Sequence, residues 1–278
     1  MTNLRRWLPV APAALIYLSA FALPVLFFFV LSFWSARAMR IRRDFTFDNY
    51  IETWQKYADV IGSTIVIALQ TAVVTTVIAF AFAYLIRFRA GRFGLPLLFI
   101  TLLTLFGGYL VKIYAWKAIL GREGILNSAL QTIGLIDEPL NIFIYNSGAV
   151  IATLTHFLLP LAVLPIYGSL RAIEDDLIEA ARDLGAARRQ AFRDVVLPLC
   201  QPGLLTAFAL SFLIAAGDYV TPRFVGGTGT AMIGDFIEQQ FSLRFDWPMG
   251  SAMSFSTLAA SVLVIVLVGL ALRAGVRR

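Results

Sequence analysis

The sequence predicts an all-α integral membrane protein with six transmembrane helices, and two observations carry that prediction. The 278 residues are 59% hydrophobic and only 14% charged, whereas soluble domains carry roughly 25% charged residues. Six stretches of at least 19 residues contain no Asp, Glu, Lys or Arg, and a membrane-spanning helix needs about 20 mostly apolar residues. These stretches fill most of the chain, which excludes a soluble enzyme built around a single core.

The expected spans follow one another along the chain, within a single transmembrane domain over residues 1–278. They lie at approximately residues 8–34, 60–86, 93–115, 145–170, 199–219 and 248–272. The first span begins after two arginines, but its apolar stretch of 30 residues exceeds the roughly 7–15 residues of a signal-peptide core, so we expect it to remain uncleaved. The second and sixth spans are apolar on all sides without period-two alternation, which favours helices over barrel strands.

The distribution of arginines predicts which way the chain lies in the membrane. Alternate gaps between spans, starting at the N-terminus, hold 13 arginines in 43 residues, whereas the opposite gaps hold 10 Lys or Arg in 79 residues. Basic residues are retained on the cytoplasmic side, so both termini are expected there. The cluster formed by Arg37, Arg40, Arg42 and Arg43 in the first outer loop is the local exception.

The same composition excludes several other classes of protein. One cysteine, Cys200, and one histidine, His156, leave no internal disulfide and no His/Cys cluster for a metal. The formal charge of +6 is spread through the gaps between spans and does not line one basic face, so nucleic acid is not an expected partner. The expected surroundings are a lipid bilayer, with no metal and no cofactor held by this chain.

The most informative soluble segment is the cytoplasmic loop 171–198 between spans four and five. Ile173, Leu177, Ala181 and Leu184 recur at helical spacing and predict one amphipathic helix. Gly185 is the residue type that commonly ends a helix, and a second short helix is expected to end before Pro198. The prediction is an elbow of two short helices, anchored at both ends to membrane spans.

Residues in this elbow resemble the EAA loop of ABC importer permeases. The matching positions are Glu179, Ala180, Ala181, Gly185, Val195, Leu197 and Pro198, where the family more often has isoleucine at Val195. Motifs beyond the loop, from Leu110–Trp116 to Asp246–Ala252, are similar to the first permease subunit of spermidine/putrescine-type transporters. The resemblance implies a type I ABC importer in a bacterial inner membrane, with a second permease subunit, two ATPase subunits and an external solute-binding protein.

The resemblance also implies candidate residues for coupling to the ATPase. The chain contains no Gly-x-x-x-x-Gly-Lys-Ser/Thr phosphate loop, so ATP and Mg²⁺ are expected on a partner and the chain is not expected to be an enzyme. The expected coupling residues are Glu179, Ala180, Ala181, Asp183, Gly185, Leu197 and Pro198. Glu179 would be the polar contact, the alanines would permit close approach, and Gly185 would set the bend.

Candidates for the substrate path are fewer and open to other interpretations. They are Asp218, Tyr219, Tyr109, Tyr114, Trp116 and His156. A carboxylate near a span is a functional candidate, and aromatic faces attract ammonium groups by about 0.5–2 kcal/mol each. Alternatively, Asp218 caps a helix or pairs with Lys112 or Arg223, and the aromatic residues form an interfacial belt. His156 would then be a buried neutral residue bonded to a neighbouring helix, and the Lys112 side chain would snorkel to the headgroups.

Polyamine is the leading expected substrate, with other small cationic or amino-acid-like solutes as alternatives. An ion-coupled secondary transporter would need charges within the spans, and a membrane enzyme would need a catalytic cluster; the sequence favours neither. The outer amphipathic segments Leu126–Ile136 and Met232–Phe241 would lie on the membrane surface or receive the binding protein.

Overall fold

The computed structural model describes residues 11–37 and 40–276, and these are almost entirely helical. Among them, five helices are long and apolar enough to cross a membrane, and a sixth span results if one bent pair of helical segments counts as one. The five are Pro12–Leu31, Asp48–Phe88, Ser147–Arg171, Arg188–Ala216 and Trp247–Leu272. Their positions follow from the charge-free stretches of the sequence, because backbone within the hydrocarbon region must satisfy its own hydrogen bonds.

The chain divides into two compact units. The first comprises the residues up to 59 together with 236–259. It contains α1 (Ala11–Tyr17), a π-helical segment (Leu18–Ala22) and α2 (Leu23–Leu31), followed by the antiparallel strands β1 (Ser35–Arg37) and β2 (Arg40–Arg42). The hairpin falls in a segment for which the sequence analysis predicted only an outer loop. Asp44 holds its ends together, because the Ser35 hydroxyl, which lies 2.9 and 2.8 Å from the two carboxylate oxygens, and the Ser35 N–H, at 3.0 Å, both donate to the Asp44 carboxylate. These bonds lower the pKa of Asp44.

The second unit comprises residues 60–235 and the chain from 260 onward. The long helix α3 (Asp48–Phe88) leads into it, and α4 (Gly94–Leu103), α5 (Tyr109–Leu120), α6 (Ile125–Thr132) and α7 (Ser147–Arg171) follow. The elbow consists of α8 (Asp175–Asp183) and α9 (Arg188–Ala191), and α10 (Leu197–Ala216) and α11 (Val220–Val225) follow. The last two helices, α12 (Ile233–Ser242) and α13 (Trp247–Val276), each have residues in both units. The amphipathic outer segments expected from the sequence correspond to α6 and α12.

Packing of α7 against α10 forms the core of the second unit. One cluster of buried residues surrounds Leu154 and Phe212, and another surrounds Ile166 and Cys200. Cys200 is therefore a small packing residue, with its sulfur 4.0 Å from the carbonyl oxygen of Ile166. Buried alanines on the spans let the helices approach closely, as small residues commonly do in membrane proteins.

The third expected span, residues 93–115, is interrupted in the structure. The helical segments Gly91–Phe106 and Tyr109–Thr132 meet at a bend of 98°, and the break falls at Gly107 and Gly108, whose backbones have ψ angles of 122° and 139°. Apolar composition continues through the break, so hydropathy alone gave no boundary there. The bend places Tyr109 at the first position of α5, at the beginning of a new helix and not near the end of a continuous one.

Pro198 does not separate the elbow from span five, contrary to the sequence expectation. The chain stays helical from Arg188 to Ala216, because residues Phe192–Val196 form a π-helical turn before α10 begins at Leu197. The wider turn accommodates the missing amide hydrogen of Pro198, which would break the regular α-helical ladder. The second elbow helix is thus continuous with a membrane span.

Gly203 provides a test of the packing between α7 and α10. A Cβ atom at this position would lie 2.6 Å from the Pro165 carbonyl oxygen and 2.5 Å from the Ser169 hydroxyl. We expect Gly203→Ala to lower the melting temperature in detergent, since overpacking costs about 1–3 kcal/mol. Gly168→Ala is the control, because a Cβ there would meet nothing within 4 Å. Equal melting temperatures for the two variants would contradict this packing.

Candidate functional site

The first candidate site is the elbow, whose helix α8 ends at Gly185 in the way its sequence predicts. Asp175 and Asp176 occupy the first turn and Arg182 the last, an arrangement that complements the helix dipole. Gly185 has a φ of +91°, its N–H donates to the Arg182 carbonyl at 2.9 Å, and the Ala186 N–H donates to the Ala181 carbonyl at 3.0 Å. This pair of bonds is a Schellman motif, which requires the left-handed backbone that glycine adopts without strain.

Two contacts attach the elbow to the end of α3. Arg87 donates to the Asp175 carboxylate at 2.8 Å and to the Ile173 carbonyl at 3.3 Å. On the far side of Gly185, the Phe192 ring packs against Phe80 and Tyr84, with centroid separations of 6.0 and 5.6 Å. Each arm of the elbow therefore contacts the same membrane helix, α3.

The predicted apolar stripe of α8 is largely uncovered in the described chain. Ile173 is buried, but Leu177 is 48% exposed and Leu184 is 90% exposed. The proposed coupling residues Glu179, Ala180, Asp183 and Gly185 are also exposed, and Ala181 is half-buried. The structure thus brings five of the seven together on an accessible loop. The other two, Leu197 and Pro198, lie in the first turn of α10, at the root of the membrane span.

The second candidate site is a polar cluster around Asp218, which is only 8% exposed. The Tyr109 hydroxyl lies 2.6 Å from both Asp218 Oδ1 and the Thr221 hydroxyl. Because the tyrosine has one hydroxyl hydrogen and donates it to the carboxylate, the Thr221 hydroxyl donates to the tyrosine oxygen. The backbone N–H groups of Val220 and Thr221 also donate to Asp218, at 3.1 and 3.2 Å. Asp218 therefore joins the start of α11 to the start of α5.

These bonds decide between the local roles considered for Asp218. The carboxylate caps the start of α11, as one alternative expected. Of the two expected partners, Arg223 pairs with Asp235, and the Lys112 ammonium makes no hydrogen bond to the described residues. A carboxylate accepts about four hydrogen bonds, and Asp218 receives three from the described residues, two on Oδ1 and one on Oδ2. Oδ2 retains capacity for a further donor.

The aromatic candidates for the substrate path other than Tyr109 and Tyr219 lie further along α5 and on α7. Trp116 donates from Nε1 to His156 Nδ1 at 3.1 Å, so that nitrogen carries no proton. The expected bond from His156 to a neighbouring helix is present, but its expected burial is not observed, since His156 is exposed. Tyr114 packs edge-on against Phe224, with centroids 5.2 Å apart. Tyr219 is 38% exposed and lies below the Arg223 guanidinium, 5.6 Å from it.

Three residues that sequence reasoning did not assign to the site complete the cluster. Thr221 is bonded to the Tyr109 hydroxyl, and the Phe157 ring packs at a tilt of 48° against the Tyr109 ring, with centroids 4.6 Å apart. Lys112 was expected to snorkel, but it is only 7% exposed, with its ammonium nitrogen 5.3 Å from the Phe157 ring centroid. Phe157 follows His156 directly in the sequence, but nothing in an apolar span distinguishes a site phenylalanine from a packing one.

Among residues 11–37 and 40–276, no group of three or more His, Cys, Asp or Glu side chains is placed to hold a metal ion. One cluster presents a carboxylate with aromatic rings, and the other presents an accessible helix.

Comparison with known proteins gives a family and a fold. Residues 93–278 match the family described as binding-protein-dependent transport system inner membrane component. The spermidine/putrescine transport system permease protein PotB of Escherichia coli (strain K12) is 32% identical over 228 residues, which cover 81% of this chain and 82% of that protein.

Two crystal structures share the fold. That of a bacterial ABC transporter involved in the import of the acidic polysaccharide alginate has a TM-score of 0.72 at 17% identity, covering 99% of this chain and 97% of the other. That of a bacterial alginate ABC transporter in complex with alginate pentasaccharide-bound periplasmic protein has a TM-score of 0.72 at 16% identity, covering 95% and 93%. At these identities the likeness concerns the fold alone.

The family match and the 32% identity over most of both chains agree with the resemblance of the elbow, the helical spans and the shared fold. The chain belongs to the binding-protein-dependent transport system inner membrane components, the multi-pass permease subunits of ABC importers, which are components of transport systems and not themselves enzymes.

Proposed function

We propose that this permease forms part of the translocation path for a small organic polycation of the polyamine class. The observation that carries the proposal is the Asp218 carboxylate, which is buried at the start of α11, hydrogen-bonded to Tyr109 and left with accepting capacity on Oδ2. A carboxylate attracts an ammonium group, and the rings of Tyr109 and Trp116 offer faces that ammonium groups also favour. The similarity to a permease named for spermidine and putrescine supports the same class.

The uptake of labelled spermidine by cells that carry the complete transport system tests this substrate class. We expect unlabelled putrescine and spermidine to compete for uptake, whereas neutral sugars and zwitterionic amino acids of similar size should not. Competition by a basic amino acid with no effect of polyamines would favour the alternative, a permease for another small cationic or amino-acid-like solute.

We propose further that the elbow receives the motion of a separate ATPase subunit. Glu179, Ala180 and Asp183 are exposed on α8, as is Leu184 directly after it. Arg87 of α3 contacts one arm of the elbow, and Phe192 in the other arm contacts α3. The importer would then contain a second, different permease subunit, two ATPase subunits that bind ATP and Mg²⁺, and an external solute-binding protein. In this assembly both termini of the permease lie in the cytoplasm, as the arginine distribution predicts.

Leu184 provides a test of the docking surface. Its side chain is 90% exposed, so Leu184→Asp removes no packing within the described chain, and the melting temperature of the permease should stay the same. If α8 inserts into the ATPase, the charge must be desolvated in the contact, and the ATPase should no longer co-purify with the permease. Leu243→Asp is the control, because Leu243 is also exposed, at 70%, but lies in a segment predicted to face outward. Normal co-purification of Leu184→Asp would exclude this contact.

A further inference from the structure

The inner end of α3 and the elbow together line an open basic pocket that none of the roles above uses. It has a volume of about 370 Å³, within the range of sites for small ligands. Three arginines from three different segments line it, namely Arg89, Arg182 and Arg188, and its aromatic lining includes Tyr84, Phe88 and Phe192. We call this the arginine pocket.

The three arginines have no carboxylate partner within the part of the chain that the structure describes. The ion pairs on this face are made by other arginines, Arg87 with Asp175 and Arg193 with Asp194. Glu179 and Asp183 line an adjacent cavity, which Arg182 and Arg188 also border, but neither carboxylate lies within salt-bridge distance of the arginines. Three arginines thus line one pocket without an ion pair to the described residues.

The aromatic rings on one side of the pocket contact one another. The Tyr84 ring packs against Phe88 and Phe192, with centroids 4.8 and 5.6 Å apart. Tyr84 and Phe88 lie in the last turns of α3, where the span is expected to reach the cytoplasmic headgroups. Aromatic residues favour that level of a bilayer, and basic pockets between spans on this side suit anionic headgroups.

We propose that the arginine pocket binds a phosphate-bearing anion, supplied by the headgroup of an anionic phospholipid such as phosphatidylglycerol. Guanidinium groups bind phosphate oxygens through paired, charge-assisted hydrogen bonds, and the volume of the pocket is large enough for one phosphate-bearing headgroup. Free phosphate in the cytoplasm offers the same recognition chemistry, so the two sources are separated by experiment.

An anion in the arginine pocket would also affect the coupling of ATP hydrolysis to transport. This consequence rests on the proposed function of the elbow. Arg182 lies before Gly185 and Arg188 lies after it, while Arg89 follows α3. An anion held by all three fastens both arms of the elbow to the membrane helix. The ATPase-coupled transport rate should therefore depend on anionic lipid.

Native mass spectrometry of the delipidated full-length permease tests the binding without the ATPase. We expect the wild-type protein to bind phosphatidylglycerol about tenfold more tightly than phosphatidylcholine, and Arg182→Gln/Arg188→Gln to lose this preference. Arg189→Gln is the matched control, since Arg189 is exposed, adjacent to Arg188 and absent from the pocket lining. If the double variant has a lower melting temperature than the wild type, the single variant Arg188→Gln replaces it in the binding measurement.

Inorganic phosphate, compared with chloride at equal ionic strength, identifies the source of the anion. If phosphatidylglycerol stays bound in the presence of millimolar phosphate, the lipid headgroup is the source of the anion. If phosphate binds to the permease and phosphatidylglycerol does not, the source is a soluble anion. Equal binding of the two lipids, or loss of the preference in Arg189→Gln as well, would overturn the proposal. A third result would also overturn it: the permease binds neither lipid nor phosphate, and the ATPase co-purifies only when Arg182 and Arg188 are present. These arginines would then contact the ATPase. Failure of the coupling model alone would leave the lipid preference intact.

Discussion

Replacing Gly185 with valine is expected to abolish solute uptake while the permease still inserts into the membrane. The Gly185 backbone has a φ of +91°, a region in which residues with a β-branched side chain are strained by about 1–3 kcal/mol. Relief of that strain breaks the two Schellman hydrogen bonds and changes the angle between α8 and α9. Since the two arms would then no longer move together, ATP hydrolysis should continue without transport. The measurement is uptake and ATPase activity in the same vesicles.

Gly134→Val is the matched control for this prediction. Gly134 has a φ of +73° and ends α6 with the same pair of hydrogen bonds, from Gly134 to Gln131 and from Leu135 to Leu130, both at 3.0 Å. A Cβ atom meets nothing within 4 Å at either glycine. Both variants should therefore lose similar stability, and only Gly185→Val should separate ATP hydrolysis from uptake. An unchanged transport rate in Gly185→Val would contradict the assignment of the elbow.

Asp218→Asn is expected to reduce uptake of a dication by about tenfold or more, a loss that corresponds to about 1.4 kcal/mol. The substitution removes the negative charge, and the amide group cannot accept the Thr221 N–H through its nitrogen. It therefore weakens the cap of α11 and the attraction for ammonium groups together. The concentration dependence of uptake separates these effects, because a weaker substrate site raises the half-saturating concentration.

Two further variants isolate the charge of Asp218 from its structural bonds. Tyr109→Phe removes the hydroxyl that bridges Asp218 and Thr221 but keeps the carboxylate, so it should lower stability more than it lowers uptake. Asp235→Asn removes a negative charge from the following segment, where Asp235 pairs with Arg223, and should leave uptake within about twofold of wild type. If Asp235→Asn lowered uptake as much as Asp218→Asn, a general loss of outer charge would account for both, and Asp218 would not line the path.

The membrane spans and the elbow could be predicted from the sequence because each rests on a local rule. Long charge-free stretches specify spanning helices, and a glycine after an amphipathic stripe specifies a helix end. The end of α8 at Gly185 therefore follows from residue types alone. Leu184 is different. Its spacing assigns it to an apolar stripe, but spacing does not predict whether other residues of the same chain bury it.

The features that the sequence did not predict depend on competition between neighbouring segments. The bend at Gly107-Gly108 lies within an apolar stretch, where glycine serves equally for helix packing and for a break. The helical continuation through Pro198 needs a π-helical turn, which no composition specifies. The local role of Asp218 depends on Tyr109, which is 109 residues away in the sequence, so only the fold selects among its alternative partners.

Reconstitution into vesicles tests most directly whether an outside source of energy works this permease. The chain alone, the two permease subunits together, and the full assembly with ATPase and binding protein are compared for the accumulation of labelled spermidine against a gradient. We expect accumulation only in the full assembly, and only when ATP is available to the ATPase. Sustained accumulation by the chain alone, driven by an ion gradient and indifferent to ATP, would contradict the account.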